Sequence, residues 1–150
     1  MIWMGRALFL ARKAASEDEV PVGAVMIHQG KVVGEGYNQR EKQQSALAHA
    51  EVLAIQEAST RLKSWRLLDC ILYVTLEPCP MCLAACQQAR VSQVIYGAKD
   101  LKGGALSLGY SLHQDLRTNH RFQATFIETP ECGQVLTDFF VKKRSLPKIC

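Results

Sequence analysis

Apolar residues fall along this chain at helical spacing in some stretches and in short continuous runs in others, and the switches between them mark its elements. Over residues 2–16, Met4, Ala7, Leu8, Ala11 and Ala15 fall three and four apart, which predicts an amphipathic helix. Residues 22–27 form an apolar run of strand length, Gln29-Gly30 supplies a hairpin turn, and residues 31–37 are the partner strand. Helical spacing returns over residues 48–60 through Val52, Leu53, Ile55 and Ala58. A continuous apolar strand at 71–76 leads into a helix at 80–89, and residues 94–96 form a further short strand. A loop carrying Gly103, Gly104 and Gly109 precedes a last strand at 122–127. The closing helix, 131–145, carries Val135, Leu136, Phe139 and Phe140 at core spacing.

Helices alternating with strands predict helices on both faces of one sheet. The opening hairpin makes that sheet mixed, so the expected fold is a three-layer α/β/α sandwich around five strands. Sites in such sheets gather beyond the carboxyl ends of strands, and Pro78 lies at such an end. With no repeat, linker or composition shift, residues 1–150 read as a single domain.

Composition narrows the classes. Hydrophobic residues make up 48% of the chain and charged residues 21%, which excludes disordered and fibrous proteins. No apolar run approaches membrane-spanning length, and the first segment lacks the features of a secretory signal. The expectation is a soluble, cytoplasmic chain, with Cys70, Cys86, Cys132 and Cys150 reduced. The net charge is +4, matched by Lys142, Lys143, Arg144 and Lys148 in a tail free of acids. Such a tail suits a phosphate backbone, and equally a solvated helix end.

The chemistry sits in two short stretches, His49-Ala50-Glu51 and Pro78-Cys79-Pro80-Met81-Cys82. Each alone has a plain reading: a solvated helix start for the first, a redox pair or half a structural metal site for the second. Together they supply one imidazole, two thiols and a carboxylate. Three ligands of that type leave a tetrahedral zinc one corner for water, which such a site makes acidic near neutral pH. Glu51 is then a proton carrier beside the metal. Side chains two apart on a helix diverge, so His49 must stand at the very start of its helix, where the chain turns in from the polar stretch 38–45. Pro80 suits a first helical turn, which puts Cys79 and Cys82 on one face of a helix N-terminus, where thiolate is favoured. Cys86 would lie about 6 Å further along that helix and reads as a small core residue.

His-x-Glu followed by Pro-Cys-x-x-Cys is the zinc-deaminase signature. Nearly the whole chain resembles the bacterial tRNA-specific adenosine deaminases of the cytidine deaminase-like superfamily. The resemblance rests on Val20-Pro21-Val22-Gly23-Ala24-Val25, Gly36-Tyr37-Asn38, Ala48-His49-Ala50-Glu51, Ser64-Trp65-Arg66-Leu67 and the run from Leu72 to Cys82. Further matches are Tyr96-Gly97-Ala98, Lys102-Gly103-Gly104, Asn119-His120-Arg121, Glu131-Cys132 and Asp138-Phe139-Phe140. It implies a cytidine deaminase-like fold and a homodimer that converts the wobble adenosine of a tRNA anticodon loop to inosine. It implies one zinc per subunit on His49, Cys79 and Cys82, with Glu51 moving the proton of the zinc-activated water. It also implies that Asn38, Ala50 and Asp100 contact the substrate; without it, Asn38 reads as a turn asparagine. By the same reading His120 is structural or touches RNA, and Glu77 fixes the metal loop through backbone hydrogen bonds. The chain departs from the family pattern at Ser45-Ala46, Leu83-Ala84-Ala85 and residues 105–112. Competing readings are a deaminase of free bases or nucleosides, and a zinc-stabilised RNA-binding module without catalysis.

Overall fold

The computed structural model describes residues 2–147; Lys148 and Cys150 lie outside the described residues. Helix α1 (Ile2–Ser16) leads into the hairpin β1 (Gly23–His28) and β2 (Lys31–Tyr37). One turn, α2 (Arg40–Gln43), precedes α3 (Ala50–Leu62), and β3 (Cys70–Val74), α4 (Pro80–Gln88), β4 (Gln93–Tyr96), β5 (Gln123–Phe126) and α5 (Pro130–Ser145) complete the chain. A 3-10 turn at Leu112–Gln114 interrupts the loop between β4 and β5.

The strands form one mixed sheet in the order β2-β1-β3-β4-β5. β1 runs antiparallel to both of its neighbours, while β3, β4 and β5 are parallel. Alternation along each strand divides the core. Ala24, Met26, Leu72, Val74, Val94 and Tyr96 face the layer of α3 and α4. Val25, Ile27, Ile71, Tyr73 and Ile95 face the layer of α1 and α5, through Met4, Ala7, Leu8, Cys132 and Val135. This is the three-layer sandwich around five strands that the sequence predicts.

Two faces are packed unusually close. A Cβ on Gly34 or Gly36 of β2 would overlap the carbonyl oxygens of Ala54 and Ala50 in α3. A Cβ on Gly23 of β1 would likewise strike the Ala7 carbonyl of α1. Glycine in a strand marks such an approach, and here it lets helix backbones lie directly on the sheet. The alanine stripe Ala50, Ala54, Ala58 continues to Leu62, and for this reason α3 runs two residues past the predicted end.

The strand directions place the carboxyl ends of β2, β3 and β4, and the start of β1, along one edge of the sheet. Asn38, Glu77, Cys79 and Asp100 all follow those ends. Phe139 and Phe140 depart from expectation. Phe139 is half-buried and Phe140 is 43% exposed, because α5 covers the sheet margin through Cys132 and Val135 and its last two turns overhang it.

Candidate active site

His49 is the residue immediately before α3, with extended backbone angles (φ −81°, ψ 151°), and Cys79 holds the same position before α4 (φ −71°, ψ 170°). Pro80 occupies the first turn of α4, where its missing N–H costs nothing. The two helix starts face each other. His49 Nδ1 lies 3.6 Å from Cys79 Sγ and 3.4 Å from Cys82 Sγ. Donor atoms of all three residues lie within 4.8 Å of one another. A tetrahedral zinc with ordinary bond lengths separates its sulfur and nitrogen ligands by roughly 3.5 Å, so the donor set fits such an ion. Cys86, one turn further on, is fully buried in the core beside α3 and takes no part.

The electrostatics agree with that donor set. The Cys82 thiol donates to Cys79, and His49 adds to the effect, so Cys79 is lowered to about 4. Cys82 is pushed upward by the same shared proton and by burial. His49 is raised by its hydrogen bond to Cys79. Glu51, on the first turn of α3, is only 4% exposed. Burial lifts its carboxyl to about 7, with its own backbone amide and Cys82 pulling the other way.

A cavity of about 190 Å³ opens beside these groups, lined by Val20, Val22, Asn38, His49, Glu51 and Asp100, among others. This is below the ~300 Å³ at which drug-sized ligand sites begin, so it suits a small group. Every residue expected at the site from the sequence lines the cavity except Cys82, which sits behind Cys79 in the wall. Ala50 offers backbone only: its side chain is wholly buried, and its N–H is among the four that a helix start leaves without an intrahelical partner. Asn38 serves the turn as well as the cavity. Its Nδ2 donates to Val20 O (3.2 Å) and its Oδ1 accepts from Arg40 N (3.1 Å). Asp100 Oδ1 accepts from Lys102 N (3.2 Å) and Gly103 N (3.0 Å), closing a tight turn at the cavity rim.

Sequence reasoning missed several supports. Glu19, 2% exposed, accepts from Glu41 N (3.0 Å) and Lys42 N (2.8 Å) and holds α2 under the rim. Arg40 lines the cavity from α2. Gln87 of α4 donates to Leu112 O, Thr118 Oγ1 and His120 O, which binds the long loop to the helix carrying Cys82. No local pattern announces these contacts, which join residues 22 to 33 positions apart. His120 is structural here: its Nε2 lies 2.7 Å from Val91 O and its ring stacks on Phe122. Lys143 of the basic tail pairs with Asp18 at 2.6 Å.

This fold with His-x-Glu and Cys-x-x-Cys at facing helix starts defines a deaminase, and the chain matches the MafB19-like deaminase family over residues 1–144. It is 42% identical over 148 residues to the tRNA-specific adenosine deaminase of Bacillus subtilis (strain 168), covering 98% of this chain and 92% of that one. With the tRNA-specific adenosine deaminase of Haemophilus influenzae it shares 39% identity over 148 residues, 97% of this chain and 86% of the relative. A solved structure from work on A-to-I editing by tRNA:A34 deaminases superposes with a TM-score of 0.84 at 38% identity, covering 89% of this chain and 98% of that one. A guanine deaminase from Bacillus subtilis superposes with a TM-score of 0.64 at 29% identity, covering 99% and 96%. The chain belongs to the tRNA-specific adenosine deaminase family.

Proposed function

We propose that the protein, one deaminase domain, hydrolyses adenosine to inosine at the wobble position of a tRNA anticodon, with release of ammonia. The observation that carries the reading is Glu51: a nearly buried carboxyl at the first turn of α3, opening on the same small cavity as the donor set of His49, Cys79 and Cys82. A binding module has no use for a carboxyl in that place. Family membership at 42% identity across nearly the whole chain supports adenosine in tRNA over a free base as substrate.

His49, Cys79 and Cys82 would hold the metal, and their sulfur and nitrogen donors support zinc. When bound, zinc supplies the Lewis acidity that makes water a nucleophile near neutral pH. Glu51 takes a proton from the attacking water and delivers it to ring nitrogen N1 as the water oxygen bonds to C6. It then carries the second proton to the departing amine, so that the C6–N bond breaks to ammonia and the C6 oxygen remains as the carbonyl. A carboxyl raised to about 7 by burial is suited to giving and taking a proton at neutral pH. Asn38, Ala50 and Asp100 line the cavity where the base would sit and would contact it there.

The protein acts in this reading as a cytoplasmic homodimer. Among the described residues no helix is long and apolar enough to cross a membrane, and Leu101, Leu108, Tyr110 and Leu116 stand exposed on the long loop after β4 as apolar area for a second copy. The test is inosine formation in an anticodon stem-loop bearing wobble adenosine, with Glu51→Ala alongside. The expected result is inosine from the parent chain and a loss of about 100- to 10,000-fold in the variant, the range for one acid–base group. No inosine from a chain holding one zinc overturns the substrate, and equal rates overturn the role of Glu51.

A further inference from the structure

Glu77 is a second buried carboxyl at this edge of the sheet, 3% exposed, and it stands in the cavity wall without belonging to the donor set. Three donors converge on it. Asp100 N (3.2 Å) and Ser107 Oγ (2.6 Å) donate to Oε1, and Ser107 N (2.8 Å) donates to Oε2. The backbone adds two bonds on either side, Glu77 N to Ala98 O and Ala105 N to Pro78 O, both 2.8 Å. Within the 98–107 turn, Gly104 N donates to Asp100 O at 2.8 Å, and a Cβ on Gly104 would overlap the Glu77 carboxylate. The turn is therefore wrapped around the Glu77 side chain, with Asp100 on one flank and Ser107 on the other.

We infer that Glu77 is a positioning residue, anchored by Ser107, that sets the distance between the Asp100 rim of the cavity and the Cys79 end, and so fixes the substrate base against Glu51. The inference rests on the deaminase reading given above. The chain connects Glu77 to both sides: Cys79 follows it by two residues, and Asp100 hangs from its Oε1. Ser107 lies in the segment where the chain departs from its family's usual pattern, yet it supplies two of the three bonds. Ser107 itself does not line the cavity, so a change there acts on the base site through Glu77 and the turn.

The decisive variant is Ser107→Ala, with Ser107→Thr as the conservative replacement and Glu77→Gln as the partner change. In Glu77→Gln an amide NH₂ meets at least one of the three converging donors. For Ser107→Ala the expectation is one zinc per chain as in the parent, kcat within about threefold, and KM for the stem-loop raised roughly tenfold, the scale of one lost hydrogen bond to a carboxylate. Ser107→Thr keeps the hydroxyl and returns KM toward the parent value. Amide hydrogen exchange at Asp100, read by NMR on the zinc-loaded chain, accelerates in Ser107→Ala and not in Ser107→Thr. Unchanged KM with unchanged exchange overturns the inference, as does a fall in zinc content and kcat that follows the loss of Tm. The exchange measurement needs no substrate. A parent chain that forms no inosine while Ser107→Ala still frees the Asp100 amide would sink the deaminase reading and leave the clamp standing; tight exchange in that variant would sink the clamp alone.

Discussion

The cavity has two walls made in different ways. On the donor side, two helix starts are fixed by backbone packed on backbone: α3 lies directly on Gly34 and Gly36 of β2, and α4 is entered through Pro80. Elsewhere, the rim around Asp100 is an irregular turn held by hydrogen bonds, three of them to one carboxylate, Glu77, and two between backbone groups of the turn and of residues 77 and 78. A wall built from close-packed regular elements transmits any change to the whole fold. A wall held by a few hydrogen bonds can shift with less effect on the rest of the fold. The chemistry needs the first to be rigid, since Glu51 and the donors must stay in register, while the second touches only the substrate.

The sharpest way to break this contrast is Cys82→Ala. It removes a buried donor that joins α4 to His49 at the start of α3. Two remaining protein ligands fall short of the three that a catalytic zinc requires, so zinc content and inosine formation are both lost. Stability gained from bound metal disappears with it, and the Tm of the variant no longer responds to added zinc. Zinc measured by atomic emission, with Tm measured with and without added metal, checks the outcome. A variant that kept one tightly held zinc would show that the donor set has been read wrongly.

These walls were unequally legible in the sequence for a physical reason. Spacing reports contacts within a helix turn or across a strand pleat, and the donor side is made of those. The short apolar runs set the strands, Pro80 marks the start of α4, and the i,i+2 placement of His49 and Glu51 already requires His49 to precede its helix. The rim is made of long-range bonds. Ser107 reaches Glu77 across 30 residues and Glu19 reaches Lys42 across 23, so neither Ser107 nor α2 carries a local signal. A helix of four residues cannot sustain itself in isolation, and α2 exists because Glu19 holds its backbone amides. The same limit applies to Phe139 and Phe140. Helical spacing marks an apolar face but not whether the sheet extends far enough to cover it.

A middle-sized effect is expected at Gly36→Ala. The added methyl meets the Ala50 carbonyl and the Ala54 amide, both backbone, so α3 must lift from β2 as a body. Overpacking of this kind costs about 1–3 kcal/mol, which for a domain of this length lowers Tm by roughly 3–10 °C. Because Glu51 rides on the first turn of α3, kcat falls together with Tm. Thermal unfolding and single-turnover rates on the same preparation check the pairing. A Tm unchanged within error would mean that the glycine contact does not seat the helix.

Gly104→Ala isolates the other wall. Its new methyl meets first the end of the Glu77 side chain and only then the Asp100 carbonyl. Gly104 is not among the residues with positive φ, so its backbone angles suit alanine, but the methyl would overlap Glu77 Oε2 and stand 2.7 Å from the Asp100 carbonyl, so both the carboxylate and the turn must shift. Displacing a buried carboxylate from its donors costs about 1–3 kcal/mol, so Tm falls by roughly 3–10 °C. The position of the Asp100 turn relative to the cavity does change, and that offset appears in KM for the stem-loop while zinc content stays at the parent value. Gly36→Ala and Gly104→Ala thus separate the walls by readout, one in kcat, the other in KM. If both variants lowered kcat equally and left KM alone, the rim would be as much a part of the packed core as α3 is, and the distinction between the two walls would fail.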